Sequence, residues 1–373
     1  MQARGDSTAC RDWIAAVISG REPAASIAGH PAGEAMAAAD DEQVVGLLAE
    51  AIEARSPSAI PEGLHDALQA RLRVESMREL AFLAQARQAI NALAGARIPV
   101  LVLKGGALAY WLYADPVQRP RSDLDLLVAD RDAALAAAER LAGEGYAPLA
   151  GVGVAETAEF EATLLRHSGA VSHAVDLHWR LVNHASLGRG FGFDELLSRS
   201  IAIPALHPAA RGLGRVDALA HALLHRITNL PGGRQDRLGW LYDFHLLAGG
   251  CANDEWASFL RLCGDKRIAS PCLDGLRACR AVFATAIPFD IEDGLARLSA
   301  GEGWKLGAVD QGGMDRAHFA ALPWHAKPGW LRRKLFPSRE FMRHRHDAQG
   351  GFGLLRAYAA RWWIGIRRGL GGG

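Results

Sequence analysis

The sequence predicts an α+β fold, a sheet core flanked by helices with further helical regions at both ends. Three observations carry this. Glu62 to Ala96 sets apolar side chains at Leu64, Leu68, Leu72, Met77, Leu80, Leu83 and Ile90, the spacing of one long helix. Short apolar runs at Val100–Leu103, Asp123–Val128 and Ala174–Trp179 are bounded by turn residues and read as strands. From Asp194 onward the pattern turns helical again. The 373 residues suffice for two modest domains or one large elaborated one. The pattern divides them into a helical region 1–98, a sheet-bearing core 99–205, a helical region 206–330 and a basic, aromatic segment 331–373.

Composition narrows the function classes. Half of the residues are hydrophobic and 22% are charged, an ordinary globular balance. The net charge of +1 argues against a dedicated nucleic-acid binder with a global positive field, so a nucleic-acid partner is not favoured. Five cysteines without Cys-x-x-Cys spacing read as reduced thiols of a cytoplasmic protein. The first residues show no apolar core of a secretory leader, and no apolar run reaches the roughly 18 residues of a spanning helix.

In the N-terminal region, Trp13, Ile14, Val17 and Ile18 form a helical stripe. Pro23, Gly29, Pro31 and Gly33 mark residues 21–40 as a loop before a helix near Asp41–Arg55. Ser56-Pro57 and Pro61 interrupt the pattern before the long helix. Gly95 to Pro99 ends that helix, and the first strand follows.

The stretch Leu101–Val128 concentrates the chemistry. A strand runs into Lys104-Gly105-Gly106, then a short apolar helix near Ala107–Tyr113, a polar loop, and a second strand carrying Asp123 and Asp125. Side chains alternate along a strand, so Asp123 and Asp125 share one face while Leu124, Leu126 and Val128 take the buried one. Two carboxylates side by side repel each other, a costly arrangement unless a cation lies between them. A solvated pair at a strand edge is the plain alternative. The chain is poor in lysine, with 5 Lys against 37 Arg, and Lys104 is one of the few present. That favours a compact ammonium at the turn.

These residues resemble the nucleotidyltransferase superfamily of the polymerase-beta type. The likeness is greatest to a bacterial branch of uncharacterised nucleotidyltransferases, and more distant to the abortive-infection and toxin enzymes. The motif there is a Gly-Gly or Gly-Ser turn, an Asp-x-Asp strand and a third carboxylate on a neighbouring strand. Here these match Gly105-Gly106, Asp123-Leu124-Asp125 and Asp176 in Ala174-Val175-Asp176-Leu177-His178-Trp179. Arg119 or Arg121 with Ser122 matches the Arg-x-Ser-Asp-x-Asp element of the branch. The resemblance implies a mixed sheet and transfer of a nucleoside monophosphate from a nucleoside triphosphate to a hydroxyl acceptor. It implies Mg²⁺, two ions, on Asp123, Asp125 and Asp176, which are also the catalytic residues. It implies nucleotide binding by Lys104, Gly105, Gly106, Arg121 and Ser122. The acceptor is a small molecule, a peptide or a protein. The alternatives are a toxin or defence enzyme acting on tRNA or protein, a non-catalytic scaffold that retains the fold, and a hydrolase pairing the carboxylates with distant histidines.

The remaining elements follow in order. Asp130–Gly143 reads as a crossover helix, with Leu135 and Leu141 toward the sheet. Tyr146–Val154 and Phe160–Arg166 read as strands, and His167-Ser168-Gly169 as a turn. On Ala174–Trp179, Asp176 and His178 share a face. Pairing this strand with Asp123–Val128 brings Asp176 to the two carboxylates and leaves His178 at the rim, where supporting a site residue or packing is its expected role. His221 and His225 lie four apart on a helix, Asp217–Leu230, without the glutamate of a metalloprotease motif. A further helix covers Arg237–Leu247, with Leu238, Leu241, Phe244 and Leu247 on one face, and helix continues over Trp256–Phe283 before a less regular stretch, Ala286–Gly313. By the resemblance, this helical region shapes the acceptor pocket. From Leu331 the chain holds 10 Arg or Lys and 2 Asp or Glu, interleaved with Phe336, Phe341, Trp362 and Trp363. Such a segment suits a membrane surface, RNA or an acidic peptide, or a helix whose aromatics pack inward.

Overall fold

The computed structural model describes residues 2–21, 30–55, 60–157, 159–169, 171–184, 187, 190–229, 236–302, 311–337, 339, 342–343 and 350–370. The chain forms a mixed α+β fold, as its sequence predicts. It divides into two compact units, each discontinuous in sequence.

The first unit comprises Met1–Arg87, Leu103–Ser122 and Ile201–Trp304. It holds helices α1 (Gln2–Ile18), α2 (Ala32–Asp41) and α3 (Val45–Arg55), and the larger part of α4 (Leu64–Gly95). The Trp13, Ile14, Val17 and Ile18 stripe is buried, as expected of the inner face of α1. The loop expected over 21–40 ends early. Pro31 precedes the first turn, and the run Glu34 to Ala39 of strong helix formers carries α2 despite Gly33. Residues 22–29 lie outside the described part. The helix after Lys104-Gly105-Gly106 is a single turn, α5 (Lys104–Leu108), that begins at the lysine itself instead of spanning Ala107–Tyr113.

The unit continues through two short strands, β6 (Ile201–Ala202) and β7 (Arg211–Gly212), paired antiparallel. Sequence reasoning passed over them because each is two residues long. Helices α8 (Arg215–Thr228), α9 (Leu238–Gly249), α10 (Asn253–Lys266), α11 (Ala269–Phe283) and α12 (Phe289–Ser299) follow. Leu238, Leu241, Phe244 and Leu247 are buried on α9 as the spacing predicts. Arg267, left-handed at φ 55°, divides the expected Trp256–Phe283 helix into α10 and α11.

The second unit comprises Gln88–Val102, Asp123–Ser200 and Lys305–Gly373. Its sheet runs in the order β3 (Ala147–Pro148), β4 (Glu161–Ser168), β5 (Val171–His178), β2 (Asp123–Leu127), β1 (Leu101–Val102). β2 and β5 are parallel; the other pairs are antiparallel. The parallel pair needs a long connection, supplied by α6 (Arg131–Ala142) and the β3–β4 segment. Asp130 caps α6, its carboxylate accepting from the Ala133 amide at 2.8 Å. The buried stripe of α6 is Ala134, Ala137 and Leu141, while Leu135 is 43% exposed. The expectation that Leu135 faces the sheet is thus corrected. Its neighbour Ala134 takes the inner position, where a small side chain allows close approach. The strand expected over Tyr146–Val154 is only β3, because Pro148 and a left-handed Ala150 turn the chain away. Helices α7 (Phe193–Ser198), α13 (Gln311–Ala321), α14 (Lys327–Leu335) and α15 (Gly350–Leu370) complete the unit.

Candidate active site

The site is built on three neighbouring strands of the second unit. In register, Asp125 of β2 stands opposite Asp176 of β5, and Asp176 stands opposite Thr163 of β4. The next row holds Leu127, His178 and Glu161; the row before holds Asp123, Ala174 and Leu165. Residues opposite one another point to the same face of a sheet. The polar side chains therefore gather on one face. On the other, Leu124, Leu126, Val175 and Leu177 are fully buried, together with Ala162 and Leu164. This buried face fixes the register, since a slip of one residue would put the carboxylates into the core.

Asp125, Asp176 and His178 form a tight group. One ligand atom from each lies within 4.8 Å of the others. The His178 Nε2 atom is 2.9 Å from Asp125 Oδ1, and its Nδ1 is 3.2 Å from Glu161 Oε2. Asp125 and His178 are almost wholly buried. The imidazole thus lies between two carboxylates, one deep and one half-exposed.

Asp176 is held under tension. Burial pushes its carboxyl pKa up; a Thr163 hydrogen bond opposes this, the Asp125 charge adds to it, His178 opposes it and Glu161 adds to it. Its Oδ1 atom is buried and has no hydrogen-bond partner in the structure. A buried carboxylate oxygen without a partner costs free energy unless a cation or proton meets it. Two carboxylates and one imidazole at this separation fit a divalent cation, with oxygen donors suited to Mg²⁺ or Mn²⁺ and the nitrogen adding affinity for Mn²⁺.

The strand pairing anticipated from sequence is present, and it brings Asp125 and Asp176 together. Asp123 lies on the same face, one row away and outside the tight group. His178, expected at the rim in a supporting or packing role, is buried inside the group, directly against Asp125. Glu161 and Thr163 were not singled out from sequence. Their alternation on Phe160–Arg166 placed them on one face, and what was missing was the order of strands.

Lys104, Gly105, Gly106, Arg121 and Ser122 belong to the first unit. Lys104 has a left-handed backbone, φ 48°, which costs a residue with a Cβ about 1 kcal/mol or more. Gly105 and Gly106 are buried, and Ser122 is exposed. Arg121 is engaged within its own unit. Its Nη2 donates to Glu79 Oε1 at 2.7 Å and to the Tyr110 hydroxyl at 2.8 Å, and its guanidinium lies 4.3 Å from the Phe82 ring centre and 4.8 Å from that of Tyr110. With only 3% of its side chain exposed, Arg121 fastens the loop. Burial, with the Glu79 contact adding to it and Arg121 opposing, raises the Tyr110 pKa well above its usual range.

Arg119, the other arginine of that loop, makes a bidentate pair with Asp243 of α9. Nε lies 2.9 Å from Oδ1 and Nη2 lies 2.7 Å from Oδ2. The Tyr113 hydroxyl donates to the same Oδ1 at 2.6 Å. His221 and His225, also of this unit, enter no group of three close metal donors among the described residues. The His225 ring instead meets Trp240 edge-on at 5.1 Å.

No curated protein and no solved structure matches the chain. The model of the family described as uncharacterised nucleotidyltransferase matches residues 31–284, more than half of the chain. That span contains both the Lys104-Gly105-Gly106 turn and the three strands with Asp125, Asp176 and His178, and on this match the chain belongs to the uncharacterised nucleotidyltransferase family.

Proposed function

We propose that the protein transfers a nucleoside monophosphate from a nucleoside triphosphate to a hydroxyl acceptor on a small molecule, peptide or protein, with a divalent cation. The observation that carries this reading is the facing pair Asp125 and Asp176, with a partnerless buried oxygen on Asp176. Asp125, Asp176 and His178 would hold the cation, and Asp123, one row away on the same face, would complete the carboxylate set. The cation supplies charge neutralisation for the phosphates when bound.

In the proposed reaction the acceptor oxygen attacks the α-phosphorus in line. The new oxygen–phosphorus bond forms as the bond to the β-phosphate oxygen breaks, and pyrophosphate leaves. Asp176 takes the acceptor's proton. A cation held there would lower its pKa, so Asp176 is suited to that step by its place beside the reacting groups. His178 holds Asp125 in place through the 2.9 Å contact and is itself backed by Glu161. Lys104, Gly105, Gly106, Arg121 and Ser122 are assigned to the phosphates on the sequence resemblance. For Arg121 that role requires release from Glu79.

The test is incubation of the protein with each α-labelled nucleoside triphosphate and Mg²⁺ or Mn²⁺, following pyrophosphate release and labelled product. The expected result is metal-dependent release that Asp125→Ala and Asp176→Ala abolish. Undiminished turnover in Asp125→Ala, or release of the γ-phosphate in place of pyrophosphate, would overturn the assignment.

A further inference from the structure

The basic, aromatic C-terminal segment ends in a helix whose outward face is apolar. On α15, Phe352 is 83% exposed, Leu355 68% and Trp363 58%, with Trp362 also exposed. Their spacing, with Ala359 between, places them along one stripe of a helix. The opposite side of α15 is occupied. Ala357 is buried with Met342, and Leu354 and Tyr358 pack against that pair. Among the described residues the outer stripe therefore remains open after the helix has already packed.

The stripe continues onto α14. The Trp362 indole donates to the Leu335 carbonyl at 2.8 Å and meets the Phe336 ring edge-on at 5.4 Å. Leu335 and Phe336 are themselves exposed. An outward apolar surface that continues across two helices is not what a solvated surface requires.

The exposed charges beside it are basic. Arg356 lies next to the stripe on α15 and Arg332 on α14, with Arg333 half-buried beside it, while Lys334 is taken up by Asp315 and Glu159. After Asp347 the chain carries no acidic residue and four arginines. A second copy of this face would bring these cations against one another, which disfavours self-pairing. An apolar stripe with tryptophans at the border and arginines beside it matches the boundary of an anionic lipid layer, where rings enter the headgroup region and guanidinium groups meet phosphates.

We propose that α15, with the end of α14, is a docking surface for anionic membranes, on which the helix lies in the plane of the interface. The surface holds the enzyme at the lipid layer without spanning it. No helix among the described residues is long and apolar enough to cross a membrane.

The experiment is cosedimentation of the full-length protein with vesicles of phosphatidylcholine alone and of phosphatidylcholine mixed with phosphatidylglycerol, at low and high salt. The expected result is binding to the phosphatidylglycerol vesicles that weakens with salt, and little binding to phosphatidylcholine alone. Phe352→Ser/Leu355→Ser/Trp363→Ser should lose this binding while keeping the wild-type circular dichroism and Tm, since all three side chains point outward. Arg356→Glu should weaken it by about twenty-five-fold, given roughly fivefold for each unit of charge at an anionic surface and a change of two units. Wild-type protein that stays in the supernatant with phosphatidylglycerol vesicles overturns the proposal. So does a triple variant that binds as wild type does. Self-association that the triple variant abolishes, without vesicle binding, assigns the face to a second copy instead. Salt-sensitive capture by an acidic polypeptide, again without vesicle binding, assigns it to a protein partner.

Discussion

Asp125 and Asp176 face each other across a parallel strand pair, and the second of them carries a buried oxygen with no hydrogen-bond partner. Burial pushes the Asp176 pKa up from the ordinary carboxylate value. A group whose pKa rises on folding stabilises the protein at low pH, and that stability is lost as pH rises through the folded value. At neutral pH, without a cation, ionised Asp176 is a net cost. Asp176→Asn should therefore raise the Tm of the metal-free protein by about 2–4 °C for each kcal/mol relieved. It should also abolish any Tm increase that Mn²⁺ or Mg²⁺ gives the wild type. Scanning calorimetry with and without metal reads both. A Tm that falls in Asp176→Asn would show that the carboxylate is held by contacts favourable enough without a cation.

His178 joins the same group through Asp125, and its removal separates metal affinity from turnover. His178→Ala leaves Asp125 buried without its imidazole neighbour. Loss of a residue that ligates or orients ligands typically costs 10–100-fold in metal affinity or activity. The expected outcome is a weaker Mn²⁺ affinity by about that factor, read by titration calorimetry, with His178→Gln recovering part of it. Equal affinities in wild type and His178→Ala would confine His178 to packing.

The strands and their chemistry were legible for a local reason. Alternation over Asp123–Val128 and Ala174–Trp179 fixes which residues share a face, and the buried leucines and valines fix which face that is. What single-strand patterns do not contain is the lateral order of strands. The roles of Glu161 and Thr163, and the depth of His178, follow only from that order. The long helix α4 is legible from its apolar spacing, although Met77 and Leu80 of that spacing face solvent, whereas the two-residue strands β6 and β7 are too short to carry a pattern. Arg119 and Arg121 illustrate another limit. An arginine in a polar loop reads the same whether it waits for phosphate or is bound to Asp243 or Glu79, because those partners lie 124 and 42 residues away in sequence.

The Arg119–Asp243 pair is a structural joint of the first unit. Both side chains are buried, and Tyr113 donates to the same carboxylate; burial first, with the Asp243 charge adding to it and Arg119 opposing, drives the tyrosine pKa well above its usual value. Removing one partner strands the other charge out of water, at a cost of about 3–5 kcal/mol. Asp243→Ala should lower the chemical denaturation midpoint accordingly. Arg119→Met/Asp243→Leu, which removes both charges, should recover most of the loss. A double variant no more stable than the single one would mean that the hydrogen bonds, and not the stranded charge, carry the energy.

Two buried histidines contribute acid sensitivity to the second unit. Burial, aided by the Arg166 charge, brings the His173 pKa down to about 4. Burial also brings His318 down to about 4, aided by His184 and Lys334, opposed by Asp315 and aided again by Arg180. The unfolded value is near 6.5, so the unfolded chain binds more protons between pH 6.5 and 4. Stability should fall as pH drops through that window and level off below it, as far as these two groups are concerned. Tyr146 meets His173 Nδ1 at 2.7 Å, a contact that His173→Gln can preserve as an acceptor. That variant should show a shallower decline of Tm from pH 6.5 to 4 than the wild type, with His318 supplying the remaining slope. An unchanged slope in His173→Gln would place the acid sensitivity elsewhere.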